Sequence, residues 1–236
     1  MPDQSSTPAL KNPPPASVPV WDMPTRLFHW LLVAMMAGAF LTYEFGDINM
    51  TYHKWNGYGL LTLVLYRLMW GVFGSNTAQF SNFVRGPGAL WRYLKSQRTS
   101  RPQKVLGHNP VGGLMIIALL ALILLQGAMG LFTTDDILVQ GPLVHLVPSA
   151  WSDLAGTLHR IGFYIIAGFA AVHILAATFY WVVKKENLIR AMLTGRKPAA
   201  EVPPGETLAA KPLILAAVLL GLSAALVWLG VNIWTL

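Results

Sequence analysis

The sequence predicts an all-α integral membrane bundle, and three observations carry that prediction. Hydrophobic residues make up 54% of the 236 and charged residues only 11%, more apolar than a soluble domain of this length needs. The apolar residues fall into five blocks, Leu27 to Tyr43, Trp55 to Phe73, Val111 to Phe132, Leu154 to Val183 and Leu213 to Trp234. Each is near or above the ~20 residues that cross a hydrocarbon core. The connections alternate in charge: the one after the second block carries Arg85, Arg92, Lys95, Arg98, Arg101 and Lys104 without an acidic residue, and the next holds Asp135, Asp136 and Asp153.

Taken in order, residues 1–20 read as a flexible tail, with Pro13, Pro14 and Pro15 in a row and too little apolar content to pack. They lack the apolar stretch and cleavage site of a secretory signal, so the first span is expected to direct its own insertion. At Trp21-Asp22-Met23-Pro24 a helix start is legible, with Asp22 as cap and Pro24 in the first turn. Residues 21–190 then hold four spans, 191–211 a linker and 212–236 the fifth. Lys184, Lys185, Arg190, Arg196 and Lys197 follow the fourth span. Both basic connections are therefore expected on the cytoplasmic side of the membrane, with the amino terminus inside and the carboxyl terminus outside. The net charge of +7 is accounted for by this topology and implies no nucleic acid. Gly221 and Ala225 in the fifth span make one small-xxx-small step, on which the helix would meet a partner or a second copy.

Four of the six histidines belong to the spans: His29, His53, His159 and His173. The last two stand fourteen positions apart on one helix (173 − 159), almost four whole turns, so they share a face about 21 Å apart along the axis. With helix direction alternating, His53 and His159 fall at the outer level and His29 and His173 at the inner level. The inner match requires the fourth helix to protrude or tilt, because His173 lies deeper in its apolar run than His29 does in its own. An ionisable group at bilayer depth needs a partner or a function. Two histidines alone make a poor structural zinc site, which takes four protein ligands. They suit haem, whose porphyrin leaves two axial positions for imidazole. The absence of cysteine removes disulfides, iron–sulfur clusters and thioether-attached haem, so such haem would be bound non-covalently. A proton relay feeding a transporter is the alternative from another class. Arg26, Lys54 and Arg160 stand near the span ends, as interfacial anchors or as partners for carboxylates of a bound group. His108 and His145 fall in connections, without opposed partners.

The run Val20-Trp21-Asp22-Met23-Pro24-Thr25-Arg26-Leu27-Phe28-His29-Trp30, His53 with Gly57, the segment Gly107-His108-Asn109-Pro110-Val111-Gly112-Gly113 and the His159/His173 pair resemble the bacterial cytochrome b561 family, which includes the cytochrome b subunits of nickel–iron hydrogenases. The resemblance covers about residues 20 to 190. It implies a four-helix core with two haem b groups held by His29, His53, His159 and His173, and quinone-linked electron transfer with a redox partner such as a cytochrome c or a hydrogenase. A stand-alone enzyme that oxidises superoxide and reduces quinone is the other activity the resemblance implies. The fifth span and the proline-rich tail depart from the family pattern.

Overall fold

The computed structural model describes residues 16–99 and 103–232. In chain order a short strand β1 (Ser17–Pro19) precedes α1 (Met23–Phe45) and α2 (Thr51–Phe73). Two small helices follow, α3 (Phe80–Phe83) and α4 (Pro87–Ser96), then α5 (Pro110–Gly130), a 3₁₀ turn at Val144–Leu146 and α6 (Ser149–Val182). The chain closes with α7 (Leu188–Thr194), β2 (Arg196–Pro198), a second 3₁₀ turn and α8 (Leu213–Asn232).

The helix starts are set by local chemistry. Asp22 Oδ1 accepts the Thr25 amide at 2.8 Å with Pro24 in the first turn, and Asn109 Oδ1 accepts the Gly112 amide at 2.8 Å ahead of α5. The Asp47 carboxylate accepts the amides of Thr51 and Tyr52 at the start of α2. Each satisfies N–H groups that a helix start leaves without partners. Asp22 also binds across the bundle, where its Oδ2 accepts Trp70 Nε1 at 3.2 Å and so fastens the start of α1 to the end of α2.

By length and composition α1, α5, α6 and α8 could each cross a membrane. Helix α2 is as long but less apolar, and it is the most enclosed of the five: α1, α5 and α8 all pack on it. Leu63, Val64, Tyr66 and Trp70 of α2 form the core with Phe28, Leu120, Ile123, Ile166 and Leu219. A helix shielded by protein on several sides can carry polar residues that a lipid-facing one cannot. Helix α6 then packs on α5. Helix α8 lies along α2 through Leu219, Ser223, Val227 and Val231, and leaves Gly221 facing open space. The small-xxx-small face therefore takes no part in packing within the chain.

Helix α6 has 34 residues, about 51 Å of helix against a hydrocarbon core of about 30 Å. That length is enough for the protrusion or tilt expected from the depths of His29 and His173. The carboxyl-terminal end of α6 is covered by the chain's own small elements. Tyr180 of α6 meets Tyr93 of α4, hydroxyl to hydroxyl at 3.0 Å, and its hydroxyl accepts Asn109 Nδ2 at 3.2 Å. β1 pairs antiparallel with β2, and Val20 and Trp21 pack on Leu106, Ala191 and Val202. The last residues of the expected tail are thus folded onto the region after α6, because the apolar Val18 and Val20 find that surface; residues 1–15 lie outside the described part.

Candidate functional site

The four span histidines meet in two pairs. The rings of His53 and His159 have their centroids 6.2 Å apart, and those of His29 and His173 6.4 Å apart. Along α6 the members of the two pairs are separated by the fourteen residues that put them on one face, and each sits deep in that helix, ten residues from its start (159 − 149) or nine from its end (182 − 173). Helices α1 and α2 present the opposing rings.

The surroundings of the two pairs differ. At the level expected to be outer, His53 Nδ1 lies 3.0 Å from the Ala39 carbonyl and His159 Nδ1 2.9 Å from the Gln126 carbonyl. A carbonyl only accepts, so Nδ1 carries the proton in each ring and Nε2 keeps its lone pair. Gln126 returns the contact, its side-chain amide donating to the His159 carbonyl at 2.8 Å. A side chain on Gly130 would stand 2.9 Å from His159 Cε1, so that glycine is needed for the ring's position. At the level expected to be inner, His29 Nδ1 is buried without a hydrogen-bond partner among the described residues, and its ring lies edge-on to Trp30 at 4.9 Å. No hydrogen bond is formed by the His173 ring among the described residues.

This donor set fits haem. Two imidazole–metal bonds of about 2.0–2.1 Å, lengthened at each end by about 1 Å from nitrogen to ring centre, come to roughly 6 Å between centroids. Both pairs have that separation. No group of three or more His, Cys, Asp or Glu side chains capable of holding a metal occurs among the described residues, which leaves each pair two protein ligands short of a structural zinc site.

The comparison with known proteins agrees with this chemistry. The family described as prokaryotic cytochrome b561 matches residues 20–195. The chain belongs to the prokaryotic cytochrome b561 family. It is similar to a protein of Azotobacter vinelandii named probable Ni/Fe-hydrogenase B-type cytochrome subunit, with 26% identity over 220 residues, 76% of this chain and 88% of the relative. It is also similar to a protein of the same name from Rhizobium leguminosarum bv. viciae, at 24% over 216 residues, 77% of this chain and 89% of the relative. Membership makes the chain a membrane b-type cytochrome, a carrier of electrons on haem b.

The other expected site residues divide. Arg26 donates Nε to the Met192 carbonyl at 3.3 Å and Nη2 to the Leu193 carbonyl, closing the carboxyl end of α7. Arg160 is exposed, with Nη2 3.3 Å from Thr157 Oγ1, and the Lys54 side chain makes no hydrogen bond or ion pair among the described residues. Of these three, Arg26 is engaged by backbone carbonyls. His145 is exposed on its 3₁₀ turn. His108, read from sequence as a loop histidine, is packed between Trp21 and Phe83, with ring centroids 4.4 and 4.8 Å away. Burial, and then the positive charge of Arg67 and Lys197 nearby, holds its imidazole well below the ordinary histidine value. Gln126 and Gly130 were legible only as a polar and a smooth position on an apolar helix. A lone amide in mid-span was the available signal for Gln126.

Proposed function

We propose that this cytochrome holds two haem b groups, one between His29 and His173 and one between His53 and His159, and moves electrons across a bacterial inner membrane between quinone and a redox partner on the outer face. The observation that carries the reading is the near-equal separation of the two rings in both pairs, 6.4 and 6.2 Å, at two depths of one bundle. When bound, haem iron supplies a one-electron carrier. The chain's residues do the rest. His29 with His173 and His53 with His159 would hold the haem irons between opposed imidazoles, which would favour electron transfer over oxygen binding. The carbonyls of Ala39 and Gln126 hold the outer rings in the tautomer that leaves Nε2 free to ligate. Helix α6 spaces the two levels by about 21 Å along its axis, and the apolar walls of α5 and α6 keep water from the path between them.

The basic connections around α4 and after α6 support a reading with His29 and His173 at the cytoplasmic end. The partner reading follows the names of the relatives: a nickel–iron hydrogenase on the outer face would deliver electrons to the outer pair. Asp135, Asp136 and Asp153 on the outer connections disfavour an anionic small substrate such as superoxide there.

The test is haem content. A pyridine haemochrome assay of purified protein against protein mass should give two haems per chain, and a ratio near one would reduce one of the pairs to a structural contact.

A further inference from the structure

The inner end of the bundle contains a feature that electron transfer does not use. A cavity of about 870 Å³ opens between α3, α4 and the segments 103–108 and 205–207. Arg85, Arg92 and Lys104 line it together with Gln103, and one acid, Glu206, is set against three cations. None of these five side chains makes a hydrogen bond or ion pair with another described residue, and both arginines and Lys104 are exposed. Cations this close in a concave polar site repel one another and attract an anion from outside.

Helix α4 shows where the anion would come from. Its buried Tyr93 fastens it to Tyr180, while Trp91 and Leu94, one turn apart, stand 71% and 44% exposed. Arg92 and Lys95, also one turn apart, form the neighbouring stripe. A short helix that joins two long apolar helices and carries an outward tryptophan beside a row of cations has the composition of a segment lying in the headgroup layer. Basic pockets beside transmembrane helices on the cytoplasmic side are suited to phosphate headgroups of anionic lipids.

We propose that this cavity is a binding site for the phosphate headgroup of an anionic phospholipid, held by Arg85, Arg92 and Lys104, with Trp91 and Leu94 of α4 seated against its acyl region. The site rests on the membrane placement of the chain and is independent of how many haems are bound.

The test counts bound lipid by native mass spectrometry on delipidated full-length holoprotein, offered phosphatidylglycerol or phosphatidylcholine. Phosphatidylglycerol should bind in preference, and Arg85→Gln/Arg92→Gln should weaken it roughly tenfold or more. The control Lys95→Gln/Arg98→Gln removes the same charge outside the cavity and should change binding by less than about threefold. Equal losses in the two double variants would reduce the effect to diffuse surface attraction and overturn the site. Equal binding of phosphatidylcholine would also overturn it. Displacement of phosphatidylglycerol by inorganic phosphate at equal concentration would assign the cavity to a soluble phosphate instead. If the arginine variant loses its haem spectrum, Lys104→Gln probes the same cavity from the opposite wall, and unchanged binding in it would count against the proposal.

Discussion

The outer and inner histidine pairs have the same separation and different supports. At the outer level both rings are held by main-chain carbonyls, one of them inside the reciprocal contact of Gln126 with His159. At the inner level, among the described residues, His29 Nδ1 has no partner, and Thr25 Oγ1, Arg67 Nη1, Thr77 Oγ1 and His108 Nδ1 are likewise buried without one; on the outer side Gln126 Oε1 is so placed. Buried polar atoms normally find partners. The rings of His53 and His159 are therefore oriented by hydrogen bonds, whereas those of His29 and His173 are oriented by packing. The difference also has an electronic side. A ring that donates Nδ1–H to a carbonyl is a more basic ligand, and a more basic axial ligand favours oxidised iron. With a haem at each pair, as proposed, the outer component should accordingly titrate at the lower potential.

The largest expected break in this comparison is Gly130→Val. Even a Cβ at this position comes within 2.9 Å of a ring locked by the Gln126 carbonyl, so the outer component should be lost or strongly shifted while the inner one is kept. Reduced-minus-oxidised spectra resolve the two; equal damage to both would show that α5 supports the whole bundle and not one level.

Gln126→Leu is the milder version. It removes the amide that donates to the His159 carbonyl, so it loosens α5 against α6 without touching a ligand. Losing the partner of a ligating ring's N–H costs roughly 10–100-fold in metal affinity; the Gln126 carbonyl that holds the ring is kept here, so haem retention on dilution should fall at the outer level by less than that range. No loss would mean that the main-chain contact at His159 Nδ1 suffices alone.

The smallest effect concerns His108 at the inner end. Its imidazole is depressed in the folded chain, while an unfolded chain takes up the proton near pH 6.5. As pH falls through that value the unfolded state binds a proton that the folded state refuses, so stability should decline with acid, by at most about 1.4 kcal/mol per pH unit from this group. Thermal unfolding followed from about pH 7.5 to about pH 5.5 should show a shallower decline in His108→Phe, which keeps the ring contacts with Trp21 and Phe83. An unchanged slope would place the inner end's acid sensitivity elsewhere.

Much of this architecture was legible in the residues, and the exceptions have a common cause. The helices announce themselves by apolar length, the starts of α1 and α5 by Asp22-Met23-Pro24 and Asn109-Pro110, and the ligand levels by the spacing of fourteen on α6. These are local or periodic signals. What escaped depends on contacts between distant positions. Helix α4 opens at Gly86-Pro87-Gly88 and reads as a loop; it is fixed by Tyr93 meeting Tyr180, 87 residues away. Arg26 reads as a boundary cation until α7 places its last carbonyls beside it, 166 and 167 residues on. His108 reads as an ordinary loop histidine until Trp21 and Phe83 close over it. Helix α2 carries His53, Lys54 and Arg67 and is tolerated in the bundle because its neighbours cover it.

The central claim is the pairing of His29 with His173 and of His53 with His159, and redox titration of four single variants tests it most directly. His29→Ala and His173→Ala should remove or alter the same, higher-potential component, and His53→Ala and His159→Ala the other, with each double substitution inside a pair adding little to its single members. If His29→Ala and His159→Ala deplete one component together while His173→Ala leaves it intact, the ligand assignment is contradicted.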